Sequence, residues 1–165
     1  MSDTTTAPAA ADAATQAALE RLNTVIDRLI APDGCPWDST QTPESLTEYV
    51  IEECHELVDA IRSGKTADMV EELGDVAFLL LMIGKLMARA GGPSLADALE
   101  VEAAKMVRRH PHVFSDTTYE NQSEQLKDWD RIKREEKAAA DAEGPKGTYD
   151  SLPRGLPPLT KAYRI

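Results

Sequence analysis

The chain has 165 residues, of which 42% are hydrophobic and 28% charged, and its formal net charge is −11 at pH 7. This length fits one domain, and the negative charge argues against non-specific nucleic-acid binding, which requires a cationic surface. Two cysteines are too few for a disulfide framework, and the longest apolar run is far too short to span a bilayer. Because the first residues also lack a signal-peptide pattern, we expect a cytoplasmic protein with no nucleic-acid or membrane partner.

Apolar residues at helical spacing predict an all-α bundle of about five helices. Residues 1–11 are rich in Ala and Thr and predict a disordered segment, whereas 12–143 should form the domain and 144–165 an extended, Pro- and Gly-rich tail. The helices are predicted over about residues 12–30, 43–62, 66–90, 95–109 and 123–142. Thr42 should cap the second helix, with Pro43 at its first position.

Acidic residues recur at helical spacing on the second and third helices. Glu52 and Glu56 share one stripe of the second helix, with Glu53 at its edge, and Glu72 and Asp75 lie along the third. A short connection makes the two helices antiparallel neighbours, so the acids can face each other. The apolar run that follows carries the third-helix acids to the edge of a core, where an unpaired charge is costly. A hard divalent cation with oxygen ligands would relieve that cost.

These acids also fit two other interpretations. One is an acidic, solvated surface, which is the usual explanation of a charge run. The other is a di-iron bundle, which needs a Glu-x-x-His on each of two helices. Glu52 and His55 have that spacing, but His55 points away from the acid stripe and the partner motif ends in Asp75. An all-oxygen site favours Mg²⁺ or Mn²⁺ over iron or zinc.

A cationic face follows on the fourth helix. Lys105, Arg108 and Arg109 lie at i, i+3 and i+4, so they project from one side. This face can bind phosphate groups. It can equally complement the macrodipole at the helix C-terminus, where basic residues are common.

Aromatic and histidine residues supply further candidates. The chain has two tryptophans. Trp37, and Trp129 with Lys133, are candidate stacking surfaces for a substrate, with ordinary hydrophobic anchors as the alternative. His110 and His112 flank a proline and could bind metal, although an isolated loop histidine is more often structural.

The third helix also bears on assembly. Val76–Ile83 is apolar on every side, which exceeds what the other helices of one chain can cover. Gly74 and Gly84 on the same helix allow close backbone approach. We therefore expect a homodimer whose two subunits complete the core.

Taken together, these residues resemble the MazG family of nucleoside triphosphate pyrophosphohydrolases. The similarity lies in Cys35–Asp38, in the E-E-x-x-E of Glu52–Glu56, in the E-x-x-D of Glu72–Asp75, in Arg108–Phe114 and in Trp129–Glu136. Phosphoribosyl-ATP pyrophosphohydrolases and dimeric dUTPases share the acid signature and the fold. The whole set of motifs is specific to the MazG family.

The resemblance implies an all-α, oligomeric fold and Mg²⁺-dependent hydrolysis of nucleoside triphosphates to monophosphates and pyrophosphate. It implies that Glu53, Glu56, Glu72 and Asp75 are metal ligands. By the same match, Glu52 is a supporting acid that binds a second metal or activates water. The competing class is a non-enzymatic helical dimer whose acids hold a structural cation or a basic partner.

The resemblance also bears on the number of domains in the protein. Many members of the family carry two such domains in tandem. The last residues, Leu156–Ile165, look like the start of an interdomain linker. The chain is thus expected to be either a single-domain form or part of a longer protein.

Overall fold

The computed structural model describes residues 6–140 together with Gly155 and Ala162. Throughout these residues the regular secondary structure is helical, which confirms the all-α prediction. The helices are α1 (Thr6–Leu29), α2 (Thr47–Ser63), α3 (Thr66–Arg89), α4 (Leu95–Arg109), α5 (Pro111–Phe114) and α6 (Gln122–Ala140). A 3₁₀ turn at Asp38–Thr40 lies between α1 and α2. The predicted tail over 144–165 lies outside the described residues, apart from the two isolated ones.

The first helix begins earlier than the sequence predicts. Residues 6–11 belong to α1, although the composition of this segment favours disorder. Alanine has the highest helix propensity of all residues, and Pro8 falls in the first turn, where its missing N–H has no helical partner in any case. Helix formation therefore extends back to Thr6, and the predicted start of the first helix at residue 12 is wrong.

The second helix begins later than predicted. Thr42 Oγ1 accepts a hydrogen bond from the Ser45 N–H (3.2 Å), and Ser45 Oγ accepts one from the Thr42 N–H (3.0 Å), but these bonds close a turn and not the helix. The N-cap of α2 is Leu46, so the prediction that Thr42 caps this helix is wrong. The chain then continues as a turn, in which the Thr47 N–H donates to the Glu44 carbonyl three residues back. Regular α-helical bonding begins at Thr47, because the turn closes with this tighter pattern first.

The chain divides into two compact units, Met1–Val101 and Glu102–Ile165. In the first unit, α2 packs against α3 and α1 packs on α3. Gly64 ends α2 in the left-handed region, with φ of 71°, and its N–H donates to the Ala60 carbonyl. Because glycine adopts this conformation without strain, only Gly64 and Lys65 are needed to turn the chain from α2 into α3.

Aliphatic residues of α1 and α3, with Leu46, form the core of the first unit. Ile26, Leu46 and Met82 are fully buried. Burial of each such side chain contributes roughly 1.5–3 kcal/mol. The other members of the core are Ile30, Leu79, Leu81 and Leu86. A Cβ added at Gly84 would lie 2.6 Å from the Leu95 Cβ, so the smallness of Gly84 lets the start of α4 pack closely on α3.

Much apolar surface of α2 and α3 is not covered within one chain. Leu80, inside the predicted apolar run, is 50% exposed. The other exposed apolar residues of this surface are Ile51, Val58, Ile61, Val70 and Leu73. Cys54 is exposed as well. The apolar residues of α2 therefore form two sets, one facing the core and one facing outward. We call the outward set the α2–α3 apolar face.

The second unit contains the C-terminal part of α4 with α5 and α6. The buried hydrophobic residues of the described chain all belong to the first unit. The second unit is instead rich in ion pairs and hydrogen bonds between side chains. Among the described residues, no helix is both long and apolar enough to cross a membrane.

Candidate metal site and cationic cluster

Three glutamates of α2 and α3 converge in the first unit. Glu53 and Glu56 are three residues apart on α2, and Glu72 comes from α3. One carboxylate oxygen from each lies within 4.8 Å of the others. Glu53 and Glu72 are half-buried, whereas Glu56 is exposed. The short connection after Ser63 brings the two helices back alongside each other, so this convergence follows from local geometry.

The carboxylates repel one another. Burial raises the pKa of Glu53 above its ordinary value of 4.5, and the charges of Glu56, Asp75 and Glu52 raise it further. The pKa of Glu72 is raised in the same way, first by burial and then by the charges of Glu56 and Glu53. A raised pKa means that the folded protein disfavours the charged form of both groups. At neutral pH, the site therefore gains from any added positive charge.

The protein does not supply that charge from its own described residues. The bases nearest in sequence pair with other acids: Arg62 with Asp59 at 3.8 Å, and Lys65 with Asp68 at 3.4 Å. Within residues 6–140, no basic group lies within 4 Å of the three converging carboxylates. The donors are all oxygen, as Mg²⁺ and Mn²⁺ prefer. The residues present therefore fit a hard divalent cation.

The structure assembles three of the four predicted metal ligands. Asp75 is exposed and lies one turn beyond Glu72, outside the group of mutually close oxygens, although its charge acts on Glu53. Glu52 is exposed and also acts on Glu53 through its charge. The roles of Asp75 as a fourth ligand and of Glu52 as a supporting acid remain predictions.

An open cleft of about 310 Å³ adjoins the converging glutamates. Its polar lining residues are Glu56, Asp59, Ser63, Lys65, Asp68 and Glu72. A larger cavity of about 730 Å³ lies elsewhere in the first unit, between the loop before α2 and the last turns of α3. Its lining includes Leu86 and Met87 and holds no group of converging acids, so the smaller cleft is the better candidate for metal chemistry.

Trp37 lies in the loop between α1 and α2. Its ring meets that of Tyr49 edge to face, with centroids 5.7 Å apart and an interplanar angle of 89°. Trp37 nevertheless remains 49% exposed. Trp37 is thus held by Tyr49 while about half of it stays accessible, which fits a stacking surface.

The cationic face of α4 is largely neutralised within the second unit. Lys105 pairs with Glu102 on its own helix. Arg109 donates from Nε (2.9 Å) and Nη2 (2.7 Å) to Glu136 Oε2 on α6. Arg108 Nε donates to Glu136 Oε1 at 3.1 Å. The three bases therefore do not form the open phosphate-binding face that their spacing alone suggests.

Trp129 connects this face to the rest of α6. The Arg109 guanidinium lies 5.5 Å from the centroid of the Trp129 ring, and Lys133 Nζ lies 4.8 Å from it. Among the described residues, Lys133 has no carboxylate within 4 Å. We use the name cationic cluster for Arg108, Arg109, Trp129, Lys133 and Glu136. Glu136 was not predicted as a site residue, although Trp129, Lys133 and Glu136 at i, i+4 and i+7 share one helix face.

The two loop histidines take part in packing of the second unit. His110 Nδ1 donates to the Met106 carbonyl at 2.7 Å. His112 Nε2 lies 3.1 Å from Gln125 Nε2, and its ring contacts that of Tyr119. Tyr119 in turn donates to Asp128 at 2.7 Å. His110 thus contacts α4, whereas His112 and Tyr119 tie the segment before α6 to α6 itself, which fits a structural role for both histidines.

Comparison with known proteins places this geometry in a family. Residues 41–114, which include the three converging glutamates, match the model of the MazG nucleotide pyrophosphohydrolase domain. The chain is 38% identical over 148 residues to the nucleoside triphosphate pyrophosphohydrolase of Escherichia coli (strain K12), a match that covers 89% of this chain and 55% of that protein. It is 39% identical over 118 residues to the nucleoside triphosphate pyrophosphohydrolase/pyrophosphatase MazG of Thermotoga maritima, which covers 72% of this chain and 45% of that one.

The chain thus spans about half the length of these two relatives. A solved structure agrees with the sequence matches. The crystal structure of a mazG-related protein from Thermotoga maritima superposes with a TM-score of 0.60 at 29% identity, covering 70% of this chain and 98% of that one. The acid motifs, the matched domain and the shared all-helical fold lead to one conclusion: the chain carries a domain of the MazG family.

Proposed function

We propose that the protein hydrolyses nucleoside triphosphates, with ribose or deoxyribose, to the monophosphate and pyrophosphate, and that it requires Mg²⁺, which Mn²⁺ can replace. The observation that carries this proposal is the convergence of Glu53, Glu56 and Glu72 with no cationic partner among the described residues. The activity for which the relatives are named supports it. Such a reaction suits the removal of unwanted nucleotides from the cellular pool.

In this proposal the residues of α2 and α3 have separate tasks. Glu53, Glu56 and Glu72 hold the divalent ion, with Asp75 as a further ligand. The bound ion supplies positive charge to phosphate oxygens and acts as a Lewis acid. Glu52 accepts a proton from the attacking water. The water oxygen bonds to the α-phosphorus, the bond from that phosphorus to its bridging oxygen breaks, and pyrophosphate leaves.

We assign nucleotide recognition to the aromatic and cationic residues. Trp37 and Trp129 offer ring faces for a base, and Lys133 and the end of Arg109 offer charge to phosphates. Lys105 is a weaker candidate, since it is paired with Glu102.

A second copy of the chain is the partner that we propose for the α2–α3 apolar face. Leu73 and Leu80 of α3, and Ile51 and Ile61 of α2, are each half exposed or more. Gly74 has open space on the same helix, which would let a second backbone approach. A homodimer that buries this face would complete the core of the first unit.

The reaction itself is the direct test. Purified protein with Mg²⁺ and a panel of nucleoside triphosphates should release pyrophosphate, and excess EDTA should stop the release. In ¹⁸O-water, mass spectrometry should find the label in the monophosphate, because attack is at the α-phosphorus. Metal binding without turnover would favour the non-enzymatic alternative, and release of orthophosphate would identify a different hydrolase.

A further inference from the structure

Glu136 occupies the centre of the cationic cluster. Its carboxylate accepts hydrogen bonds from both Arg108 and Arg109, and the contact with Arg109 uses two nitrogens on a single oxygen. The side chains of Arg109 and Glu136 are only 16% and 22% exposed, whereas that of Arg108 is 55% exposed. The pair of Arg109 and Glu136 is therefore the fixed part of the cluster.

The geometry of the pair leaves part of Arg109 unused. A guanidinium has five N–H donors, in a side edge of Nε and one terminal nitrogen and an end edge of the two terminal nitrogens. Glu136 takes the side edge, through Nε and Nη2. Within the part of the chain that the structure describes, the end edge, which carries one hydrogen of Nη1 and the second hydrogen of Nη2, donates to no other group. This edge matches two oxygens of one phosphate group.

The orientation of that end edge is fixed from two directions. Glu136 holds the side edge, and the guanidinium lies over the Trp129 ring. The charge of the cluster also favours an anion, since Arg108, Arg109 and Lys133 oppose only one carboxylate within it. An arginine that is held in this way loses less conformational freedom when it binds a ligand.

We infer that Glu136 is a positioning residue, which holds the Arg109 guanidinium on Trp129 so that its end edge binds a phosphate group of the nucleotide. This inference rests on the proposed function for the identity of the ligand. It assigns to Glu136 a role in substrate binding through Arg109, with no contact to the reacting atoms. Its acidity fits the role, because the hydrogen bonds from Arg109 and then Arg108 lower the pKa of Glu136 and keep it ionised.

A neutral variant separates this role from a purely electrostatic one. Glu136→Gln removes a negative charge from the surroundings of an anion site, and on Coulombic grounds alone it should tighten phosphate binding. If Glu136 instead occupies the place of a phosphate, its neutralisation should also tighten binding. Positioning predicts the opposite, since a mobile Arg109 binds less well. The sign of the change in phosphate affinity therefore distinguishes the positioning role from a purely electrostatic one.

The experiment compares wild type, Glu136→Gln, Glu136→Asp and the control Glu135→Gln. Glu135 is the next residue on α6, and its side chain is 63% exposed and paired with Arg131 on the same helix. Kinetics with Mg²⁺ and a nucleoside triphosphate give KM and kcat, and titration with inorganic tripolyphosphate gives a Kd without turnover. Glu136→Gln should raise KM and that Kd by about tenfold, as for the loss of one charge-assisted contact, with kcat within about twofold. Glu136→Asp should recover part of the loss, and Glu135→Gln should match wild type.

Two further measurements show whether the effect passes through Arg109. In an Arg109→Ala background, Glu136→Gln should cause no additional rise in the tripolyphosphate Kd. In ¹H–¹⁵N spectra of the free protein, the Arg109 Nε–H signal of wild type should exchange slowly with water, and that of Glu136→Gln should exchange faster. Circular dichroism checks that each variant is folded, and Glu136→Asp provides the test if Glu136→Gln does not fold.

An unchanged or lower Kd in Glu136→Gln, or additive effects with Arg109→Ala, would overturn the positioning role. Failure of the proposed function has a different signature, namely no pyrophosphate from wild type with any nucleotide. In that case the tripolyphosphate Kd and the Arg109 signal still decide the role of Glu136 toward a phosphate chain.

Discussion

The two units differ in how the side chains of their charged clusters are paired. In the first, Glu53, Glu56 and Glu72 face one another, and no base of the described chain pairs with them. In the second, Arg109 shares the carboxylate of Glu136 with a neighbouring arginine, and Arg131 pairs with two acids of its own helix. One region is incomplete without a cation from outside, whereas the other pairs Arg108, Arg109 and Arg131 with its own carboxylates.

This difference shows which of the two charged clusters favours ligand binding more strongly. Burial and then mutual repulsion raise the pKa of Glu53 and Glu72, while hydrogen bonds from arginines lower the pKa of Glu136. A cation at the first cluster relieves a repulsion that already exists in the folded protein. An anion at the cationic cluster must instead bind to the hydrogen-bond donors that remain after internal pairing. Spacing along the helix does not distinguish the two cases, because both groups lie at i, i+3 positions.

The largest expected effect comes from removing one acid of the incomplete region. Glu56→Gln or Glu72→Gln should lower kcat/KM for the Mg²⁺ reaction by about a hundredfold or more, since even outer-shell partners of a metal contribute tenfold to a hundredfold. The melting temperature of the metal-free protein should stay the same or rise, because like-charge repulsion falls. Asp75→Asn tests the predicted fourth ligand in the same assay.

Glu48→Gln is the matched control, since Glu48 is an exposed acid in the first turn of α2. It should keep its activity and show no rise in stability. Wild-type rates in both Glu56→Gln and Glu72→Gln would remove the carboxylate cluster from the reaction.

A second effect concerns the apolar surface of the incomplete region. Leu80→Lys places a charge in the α2–α3 apolar face and should convert the proposed dimer to monomers, as measured by light scattering at micromolar concentration. The melting temperature of wild type should rise with protein concentration, because association stabilises the folded state. Glu100→Lys on the exposed side of α4 changes the charge further without removing apolar surface, and should stay dimeric. A folded wild-type monomer would contradict the shared core.

The smallest effect is a difference in pH dependence between the two regions. The raised pKa values of Glu53 and Glu72 give stability that is full below their ordinary value of 4.5 and is lost as pH rises through their folded pKa values. The lowered pKa values of Glu136 and Asp128 give stability that is present above 4.5 and 3.8, respectively, and is lost as pH falls through their folded pKa values.

Amide hydrogen exchange across a pH series, corrected for intrinsic rates, can follow the two regions separately. Raising the pH above 4.5 should weaken protection in α2 and α3, and added Mg²⁺ should abolish this trend. Lowering the pH below 4 should weaken protection in α6. The same trend in both regions would mean that global charge, and not local pairing, governs stability.

Local signals in the sequence were sufficient for most of the helices. The third helix was predicted over 66–90 and is observed at Thr66–Arg89, because a glycine connection precedes it and a glycine pair follows it. The fourth ends at Arg109 as predicted. The start of α2 could not be placed in this way, since the choice between a turn and a helix after Thr42 depends on the packing of Leu46 into the core.

Helical spacing alone predicted the composition of the metal cluster but not its detail, whereas the family resemblance named the three glutamates that converge. Spacing placed Glu52 with Glu56 on one stripe and Glu53 at its edge, whereas the structure joins Glu53 and Glu56 with Glu72. The rotation of α2 about its axis decides between them, and long-range packing sets that rotation. Glu136 was not predicted as a site residue for the same reason, because its pairing with Arg109 is a contact between two helices.

The two-residue connection at Gly64 and Lys65 has a consequence for the kinetics of folding. It joins the helices whose contact is the most local in the first unit, so closing the α2–α3 hairpin has a small entropic cost and should occur early. The converging glutamates then repel one another already at that step, before most of the core exists. Divalent cations should therefore accelerate folding of the protein, in addition to slowing its unfolding.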